Sequence, residues 1–191
     1  MTSQQIEPPT RISAPYVDDL TGLLNRRSFL REAALVFSRS SASDLGLAAI
    51  LLDLDRFKKL NEEFGRAVGD EALRAVACIF RETLCPQDLP PRSAMLTART
   101  VAGRYGGEEF AAIIQCPALA DACRMAQRIQ SRVQAQPLHV GGREVPIIIS
   151  LGVFFTRGTL PNVRALLRLA TRSLQRAKHN GRDCWVCEEE P

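Results

Sequence analysis

The sequence predicts one α/β (α+β) domain in which helices flank a central mixed β-sheet. Strand-like and helix-like segments alternate along most of the 191 residues, as in sheets covered by helices. Two pairs of strand-like runs surround paired glycines, Gly106-Gly107 and Gly141-Gly142, and paired glycines supply the positive φ of tight hairpin turns. Hairpins are antiparallel, so the predicted sheet is mixed and not purely parallel.

Apolar side chains at helical spacing predict helices over residues 26–40, 118–136 and 162–180. A short helix follows residue 55 and stops at Gly65, and Asp70 is the expected N-cap of the next helix. The remaining elements are strand-like runs and one proline-rich loop. The predicted strands cover 46–55, 96–104, 110–115, 138–141, 144–155 and 183–187, and the predicted loop covers 85–93.

Net charge and the distribution of apolar residues argue against a nucleic-acid-binding protein and against a membrane-spanning chain. The formal charge of +4 is too weak to indicate nucleic-acid binding, and no apolar run is long enough to span a membrane. The first residues lack the pattern of a signal peptide, so we expect a cytoplasmic protein.

We assign residues 1–17 to a tail or linker end, 18–187 to the domain, and 188–191 to an acidic tail. Cys184 and Cys187 have no second ligand pair nearby, which favours a closing strand over a metal or redox site.

Three acidic features carry the candidate chemistry. Asp53 and Asp55 end a buried apolar run, Glu108 and Glu109 follow a glycine turn, and Asp70 follows a glycine at a helix start. Each feature alone also fits a structural role, as a strand end, a solvated hairpin tip or an N-cap. If the first two meet at the rim of the sheet, they offer the oxygen ligands that Mg²⁺ prefers and leave positions for substrate phosphates.

Basic and amide side chains lie close to these acids in the sequence. Lys58 and Asn61 share one face of the short helix beside the Asp53 strand end. Lys178 and Arg182 flank the end of the last helix, where cations either complement the helix dipole or bind phosphates.

Six segments together resemble the GGDEF family of diguanylate cyclases, and the similarity runs from residue 19 to about residue 185. The segments read DLTGLLNRR at 19–27, DLDRFKKLN at 53–61, GD at 69–70, RYGGEEF at 104–110, SLGV at 150–153, and AK followed by GR at 177–182. The resemblance implies a palm-like fold with the GGEEF β-hairpin at the rim of the active site. It also implies an enzyme that condenses two GTP into cyclic di-GMP and two pyrophosphate.

The resemblance implies a role for each matching residue at a metal site. Asp53 and Glu108 would bind Mg²⁺ or Mn²⁺, two ions to a site, with the Leu54 carbonyl completing the shell. Glu109 would help to hold the second ion or take the proton of the attacking 3′-hydroxyl. Glu108, Glu109 and Lys58 form the expected catalytic set.

The other matching residues would bind GTP. Phe57, Asn61 and Asp70 would contact the guanine, and the Asp70 carboxylate can accept from N1–H and N2–H₂ together. Gly107 would let the nucleotide approach the turn. Three cations, Lys58, Lys178 and Arg182, would hold the triphosphate.

A homodimer is implied because each domain holds one GTP, and a further sensory or dimerisation domain or partner protein is expected upstream. Thr97 and Thr100 occupy the positions at which many family members carry the R-x-x-D product-inhibition motif, so we expect no such site. The alternative function is a non-catalytic module of the same fold that binds GTP or a protein partner.

Overall fold

The computed structural model of the chain describes residues 16–40, 45–84, 96–97 and 100–190. Within these ranges a six-stranded sheet has the order β2-β3-β4-β1-β7-β8, and a two-stranded hairpin, β5-β6, lies apart from it. The strands are β1 Gly46–Leu54, β2 Leu96–Thr97, β3 Thr100–Arg104, β4 Glu109–Cys116, β5 Leu138–Val140, β6 Arg143–Val145, β7 Ile149–Thr156 and β8 Trp185–Glu189. Only β7 and β8 pair in parallel, so the predicted mixed sheet is confirmed.

Helices cover both faces of this sheet. The described helices are α1 Arg26–Ser40, α2 Phe57–Phe64, α3 Arg66–Leu84, α4 Leu119–Gln134 and α5 Val163–His179. All nine residues of β1 are buried: Ile50 and Leu52 pack into the cluster that includes α3 and α4, while Ala49 and Leu51 pack into the cluster of α1 and α5. A strand that is buried on both faces is a continuous apolar run in the sequence, and this pattern predicted β1.

Gly65 ends α2 with φ of 87°, which confirms the predicted stop. The predicted N-cap at Asp70 is wrong, because α3 already begins at Arg66 and Asp70 lies inside it. The physical reason is that Gly65 turns the chain within one residue. Its carbonyl accepts the Gly69 N–H at 3.3 Å, so helical hydrogen bonding restarts immediately after α2.

The two glycine pairs support hairpins in different ways. Gly141 and Gly142 have φ of 56° and 78°, as expected for a tight primed turn between β5 and β6. The same expectation is wrong for Gly106 and Gly107, neither of which has a positive φ. A Cβ at Gly106 would lie 2.3 Å from Glu109 Oε2, so the absence of a side chain makes room for that carboxylate.

Some predicted boundaries change. The run 144–155 is two strands, because Pro146 has no N–H to continue the ladder and β7 begins only at Ile149. The closing strand extends to Glu189, inside the stretch assigned to the acidic tail. The tail residues 1–15 and the loop 85–93 lie outside the described residues. Within the described ranges, none of the helices combines the length and apolar character that a membrane span requires.

Gly152 of β7 allows α5 to approach the sheet closely. A Cβ at this position would lie 2.1 Å from Leu174 N and 2.4 Å from Ala170 O, both main-chain atoms of α5. Main-chain atoms cannot rotate away as a side chain can, so any side chain at residue 152 must displace the helix. Lys178 lies at the end of α5 and Arg182 follows the helix, so the placement of these two predicted site residues depends on this contact.

We predict that Gly152→Ala lowers the free energy of unfolding by about 1–3 kcal/mol, because overpacking against a rigid backbone forces displacement. Urea unfolding measures the change. Gly107→Ala is the matched control, since nothing lies within 4 Å of a Cβ at Gly107 and its φ is not positive. Equal stability of the two variants would contradict the close approach of α5 to β7.

Candidate active site

The site is centred on the end of β1. Asp53 is the penultimate residue of β1 and Asp55 follows the strand, so alternation along an extended chain places the two residues on the same side. Both are buried, with 5% and 9% of their surface exposed. Asp53 lies opposite Glu109 of β4 on one side and Ser150 of β7 on the other.

The turn between β3 and β4 is tied to this strand end. Tyr105 N–H and Gly106 N–H both donate to Glu109 O, at 2.7 and 3.1 Å, and close the turn. Leu54 N–H donates to Glu108 O at 3.2 Å, which joins the turn to β1 and brings Glu108 beside Asp53. Glu108 is therefore half-buried and does not lie on a freely solvated hairpin tip.

Arg104 holds the same turn from its other side. Its Nη2 and Nε donate to the Gly107 carbonyl at 2.6 and 3.2 Å. Its Nη1 lies 3.0 and 3.1 Å from the two carboxylate oxygens of Asp18, which also accepts from the Thr21 hydroxyl at 2.7 Å. The segment before α1 is thereby linked to the glycine turn through one guanidinium.

Two cations at the end of α5 face the two aspartates. Lys178 Nζ lies 2.7 Å from Asp53 Oδ1, and Arg182 Nε lies 3.8 Å from Asp55 Oδ1. The Lys178 and Arg182 side chains are 32% and 47% exposed, so both remain accessible from solvent. The arrangement places positive charge at the open rim and negative charge behind it.

Two carboxylates of the rim, Asp53 and Glu108, have a pKa above its ordinary value. Burial raises the pKa of Asp53, while the nearby Lys178 ammonium acts in the opposite direction. Burial also raises the pKa of Glu108, and the Asp53 carboxylate raises it further. Asp53 and Glu108 thus repel each other when both are ionised, and a cation between them would relieve this repulsion.

This donor set fits a hard divalent cation. Among the residues that the structure describes, no three His, Cys, Asp or Glu side chains converge as a metal site. Asp53 and Glu108 offer two carboxylates, and Leu54 could add its carbonyl. Mg²⁺ is commonly held by one or two carboxylates together with substrate phosphates, so a small protein donor set suits it better than a closed site would.

A second group of predicted residues meets where α2 packs on α3. A Cβ at Gly69 would lie 1.9 Å from Asn61 Oδ1 and 3.2 Å from Phe57 Cζ, so both side chains lie directly over this glycine. Asp70 is the next residue and is partly exposed. Phe57 and Asn61 therefore meet over Gly69, and Asp70 is the neighbouring residue of α3, on helices that follow the carboxylate end of β1.

The other predicted residues stand apart from these groups. The Lys58 side chain is 88% exposed, and its ammonium lies 3.6 Å from Glu62 rather than beside a rim carboxylate. Thr97 and Thr100 are cross-strand partners of β2 and β3. The Cys184 thiol donates to Ala177 O at 3.3 Å, and Cys187 lies in β8.

Asp18, Arg104 and Ser150 are parts of the site that were not predicted from the sequence. Asp18 and Arg104 are 86 residues apart, and no local pattern signals that contact. Ser150 did carry a signal, because it is a polar residue at the start of a strongly apolar run. It is fully buried and its hydroxyl donates to Asp55 Oδ2 at 2.7 Å.

We predict that Lys178→Met destabilises the metal-free protein by about 1–3 kcal/mol at neutral pH. This is less than for fully buried pairs because Lys178 is partly exposed. Loss of the ammonium raises the pKa of Asp53 further above its unfolded value. The deficit is therefore complete above the folded pKa and shrinks as the pH falls through it.

Chemical unfolding at neutral and acidic pH measures this deficit. Arg172→Met is the matched control, because Arg172 is an exposed cation on the same helix and makes no ion pair with a described residue. A Lys178→Met deficit that stays constant between the two pH values would show that Lys178 does not neutralise Asp53.

The chain is similar to known proteins over most of its length. The profile of the family described as "Diguanylate cyclase, GGDEF domain" matches residues 15–184. The response regulator PleD from Caulobacter vibrioides is 39% identical over 171 residues, covering 88% of this chain and 35% of PleD. Diguanylate cyclase DosC from Escherichia coli is 31% identical over 172 residues, covering 87% of this chain and 34% of DosC.

The fold is also similar to that of a solved structure, the GGDEF domain of DgcB from Caulobacter crescentus in complex with c-di-GMP. The TM-score is 0.79 at 24% identity, covering 93% of this chain and 98% of the other. This chain spans about a third of PleD and of DosC, so the resemblance concerns one domain of those proteins. The family profile covers nearly all of the described residues, and the chain belongs to the GGDEF family of diguanylate cyclase domains.

Proposed function

We propose that the chain is a diguanylate cyclase, which condenses two GTP into cyclic di-GMP and two pyrophosphate with Mg²⁺ or Mn²⁺ at a homodimer. One observation carries the proposal: the Leu54 N–H to Glu108 O hydrogen bond brings Glu108 beside Asp53, with Lys178 against the same pair. Two carboxylates and a cation at a sheet rim provide the charges that phosphoryl transfer requires.

The triphosphate would lie between the metal-binding carboxylates and the end of α5. Lys178 and Arg182 are both accessible there, and each faces a carboxylate. As phosphate oxygens bind, Lys178 would move from pairing with Asp53 to offsetting charge on the transferring phosphorus, and the exposed part of Arg182 would reach the phosphates. Lys58 is exposed on α2 and would contact the triphosphate only after GTP has bound.

The guanine would bind beside Phe57, Asn61 and Asp70. The Asp70 carboxylate can accept from guanine N1–H and N2–H₂ together, and the Asn61 amide supplies both a donor and an acceptor. Adenine offers no matching pair of donors, so this group favours GTP. Gly107 has open space where a side chain would be, which leaves the turn backbone accessible to the nucleotide.

Two domains must face each other for the reaction to occur. The 3′-hydroxyl of one GTP attacks the α-phosphate of the other, a new P–O bond forms and pyrophosphate leaves. Repetition of the step with the roles exchanged closes the ring. Asp53, Glu108 and the Leu54 carbonyl would hold the cation, which supplies charge stabilisation to the phosphates, and Glu109 would accept the hydroxyl proton or contribute to a second cation site. A neighbouring domain or partner protein would bring the two copies together.

The test is to incubate the purified chain with GTP and Mg²⁺ at several protein concentrations and to quantify cyclic di-GMP and pyrophosphate. We expect the rate to rise faster than linearly with protein concentration, because two copies form each catalytic unit. Glu108→Gln should lower the rate by at least about 100-fold, since it removes a charge that the cation needs. The matched control, Glu189→Gln, changes an exposed glutamate of β8 at the far end of the sheet and should keep full activity.

Bound GTP without product, even in a leucine-zipper fusion that holds two copies together, would contradict the proposed function. That result would favour the non-catalytic GTP-binding module.

A further inference from the structure

Asp55 is a buried carboxylate that the proposed reaction does not use. Its side chain is only 1% exposed, and its backbone N–H donates to Ile148 O at 2.8 Å. Its Oδ2 accepts two hydrogen bonds, from the Ser150 hydroxyl at 2.7 Å and from Asp183 N–H at 3.1 Å. Since these two donors fill the lone pairs of Oδ2, that oxygen is not available to a metal ion.

The Asp183 N–H belongs to a strained loop. Gly181, Arg182 and Asp183 have φ of 111°, 68° and 49°, so two non-glycine residues in succession adopt a left-handed conformation. Such a conformation persists only when surrounding contacts hold it. Residues 181–183 must therefore be held by contacts with side chains of other elements and with the end of α5.

Contacts from three directions fix this loop. Arg182 N–H donates to Ala177 O at 3.2 Å, at the end of α5. Gln130 Nε2 of α4 donates to Asp183 O at 2.6 Å, and Gln134 Nε2 donates to Asp183 Oδ1 at 3.1 Å. Asp55 supplies the third contact, from the carboxylate end of β1, and it is the one that comes from inside the protein.

The loop carries Arg182, and the second oxygen of Asp55 faces this arginine. Asp55 Oδ1 is buried and accepts no hydrogen bond from a described residue, while Arg182 Nε lies 3.8 Å away. The carboxylate thus attracts the inner edge of the guanidinium without binding it tightly. About half of the side chain stays exposed, which leaves the terminal nitrogens able to reach a ligand.

We infer that Asp55 is a positioning residue for the nucleotide: it holds the 181–183 loop in its strained conformation and orients the Arg182 guanidinium toward the triphosphate of GTP. This inference rests on the proposed function for the identity of the ligand. Asp53 and Asp55 then have different roles at the same strand end. Asp53 pairs with Lys178 and faces the cation site, whereas Asp55 orients the second basic side chain from behind.

A double-mutant cycle of Asp55→Asn and Arg182→Ala tests this role, with affinity for a non-hydrolysable GTP analogue measured by calorimetry in the presence of Mg²⁺. Asp55→Asn should weaken GTP binding about 10-fold and raise KM by a similar factor, with a smaller change in kcat. In the Arg182→Ala background the same substitution should have almost no further effect, because its only consequence for GTP passes through Arg182. Hydrogen exchange at the Asp183 amide should accelerate in Asp55→Asn.

Ser150→Ala is the second variant, in case Asp55→Asn does not fold. It removes one of the two donors that orient the carboxylate, keeps its charge, and should produce a smaller loss of GTP affinity that is likewise absent in the Arg182→Ala background. Glu189→Gln, which neutralises an exposed acid of β8 at the far end of the sheet from Asp55, is the control and should leave GTP affinity unchanged.

If Asp55→Asn lowers GTP affinity by the same factor in the wild type and in the Arg182→Ala background, the positioning role is overturned. The cyclase proposal is unaffected by that result. Unchanged GTP affinity together with an unchanged Asp183 exchange rate would overturn it as well. A wild-type chain that binds GTP and shows the predicted coupling, yet forms no cyclic di-GMP, would support the positioning role and contradict only the proposed function.

Discussion

The structure depends on how it neutralises two carboxylates at the end of a fully buried strand. Asp53 and Asp55 stand at the end of β1, which is covered on both faces and paired on both edges. Buried charges are costly unless a partner is close, and here the partners come from the end of α5. The position of α5 is in turn set by its close contact with Gly152. The packing of α5 on the sheet therefore determines where the cations lie relative to the two carboxylates.

The same strand end explains why binding residues gather here. β1 pairs with β4 and β7, and the connections that leave these strands carry the glycine turn and the α2–α3 pair. One hydrogen bond from Leu54 to Glu108 aligns the turn, and Arg104 links it to Asp18 near the N-terminal end of the described chain. A change in that N-terminal segment would therefore reach the Gly107 carbonyl through a single side chain.

Much of this organisation could be predicted from the sequence because it is encoded locally. The buried strand, the helix stop at Gly65 and the Gly141-Gly142 turn follow from apolar periodicity and from glycine conformation. The N-cap at Asp70 and the turn at Gly106 were misjudged because each depends on neighbours, Gly65 in one case and the Glu109 side chain in the other. The Asp18–Arg104 pair and the role of Asp55 depend on distant residues, and the sequence shows no local sign of either contact.

The central claim is that Asp53 and Glu108 form one cation and nucleotide site. The most direct measurement is Mn²⁺ binding followed by electron paramagnetic resonance, with and without a non-hydrolysable GTP analogue, for the wild type and for Asp53→Asn. We predict that the analogue strengthens Mn²⁺ binding in the wild type, and that Asp53→Asn abolishes this enhancement while the protein stays folded. Equal Mn²⁺ binding by both proteins in the presence of the analogue would show that Asp53 does not belong to a joint cation and nucleotide site.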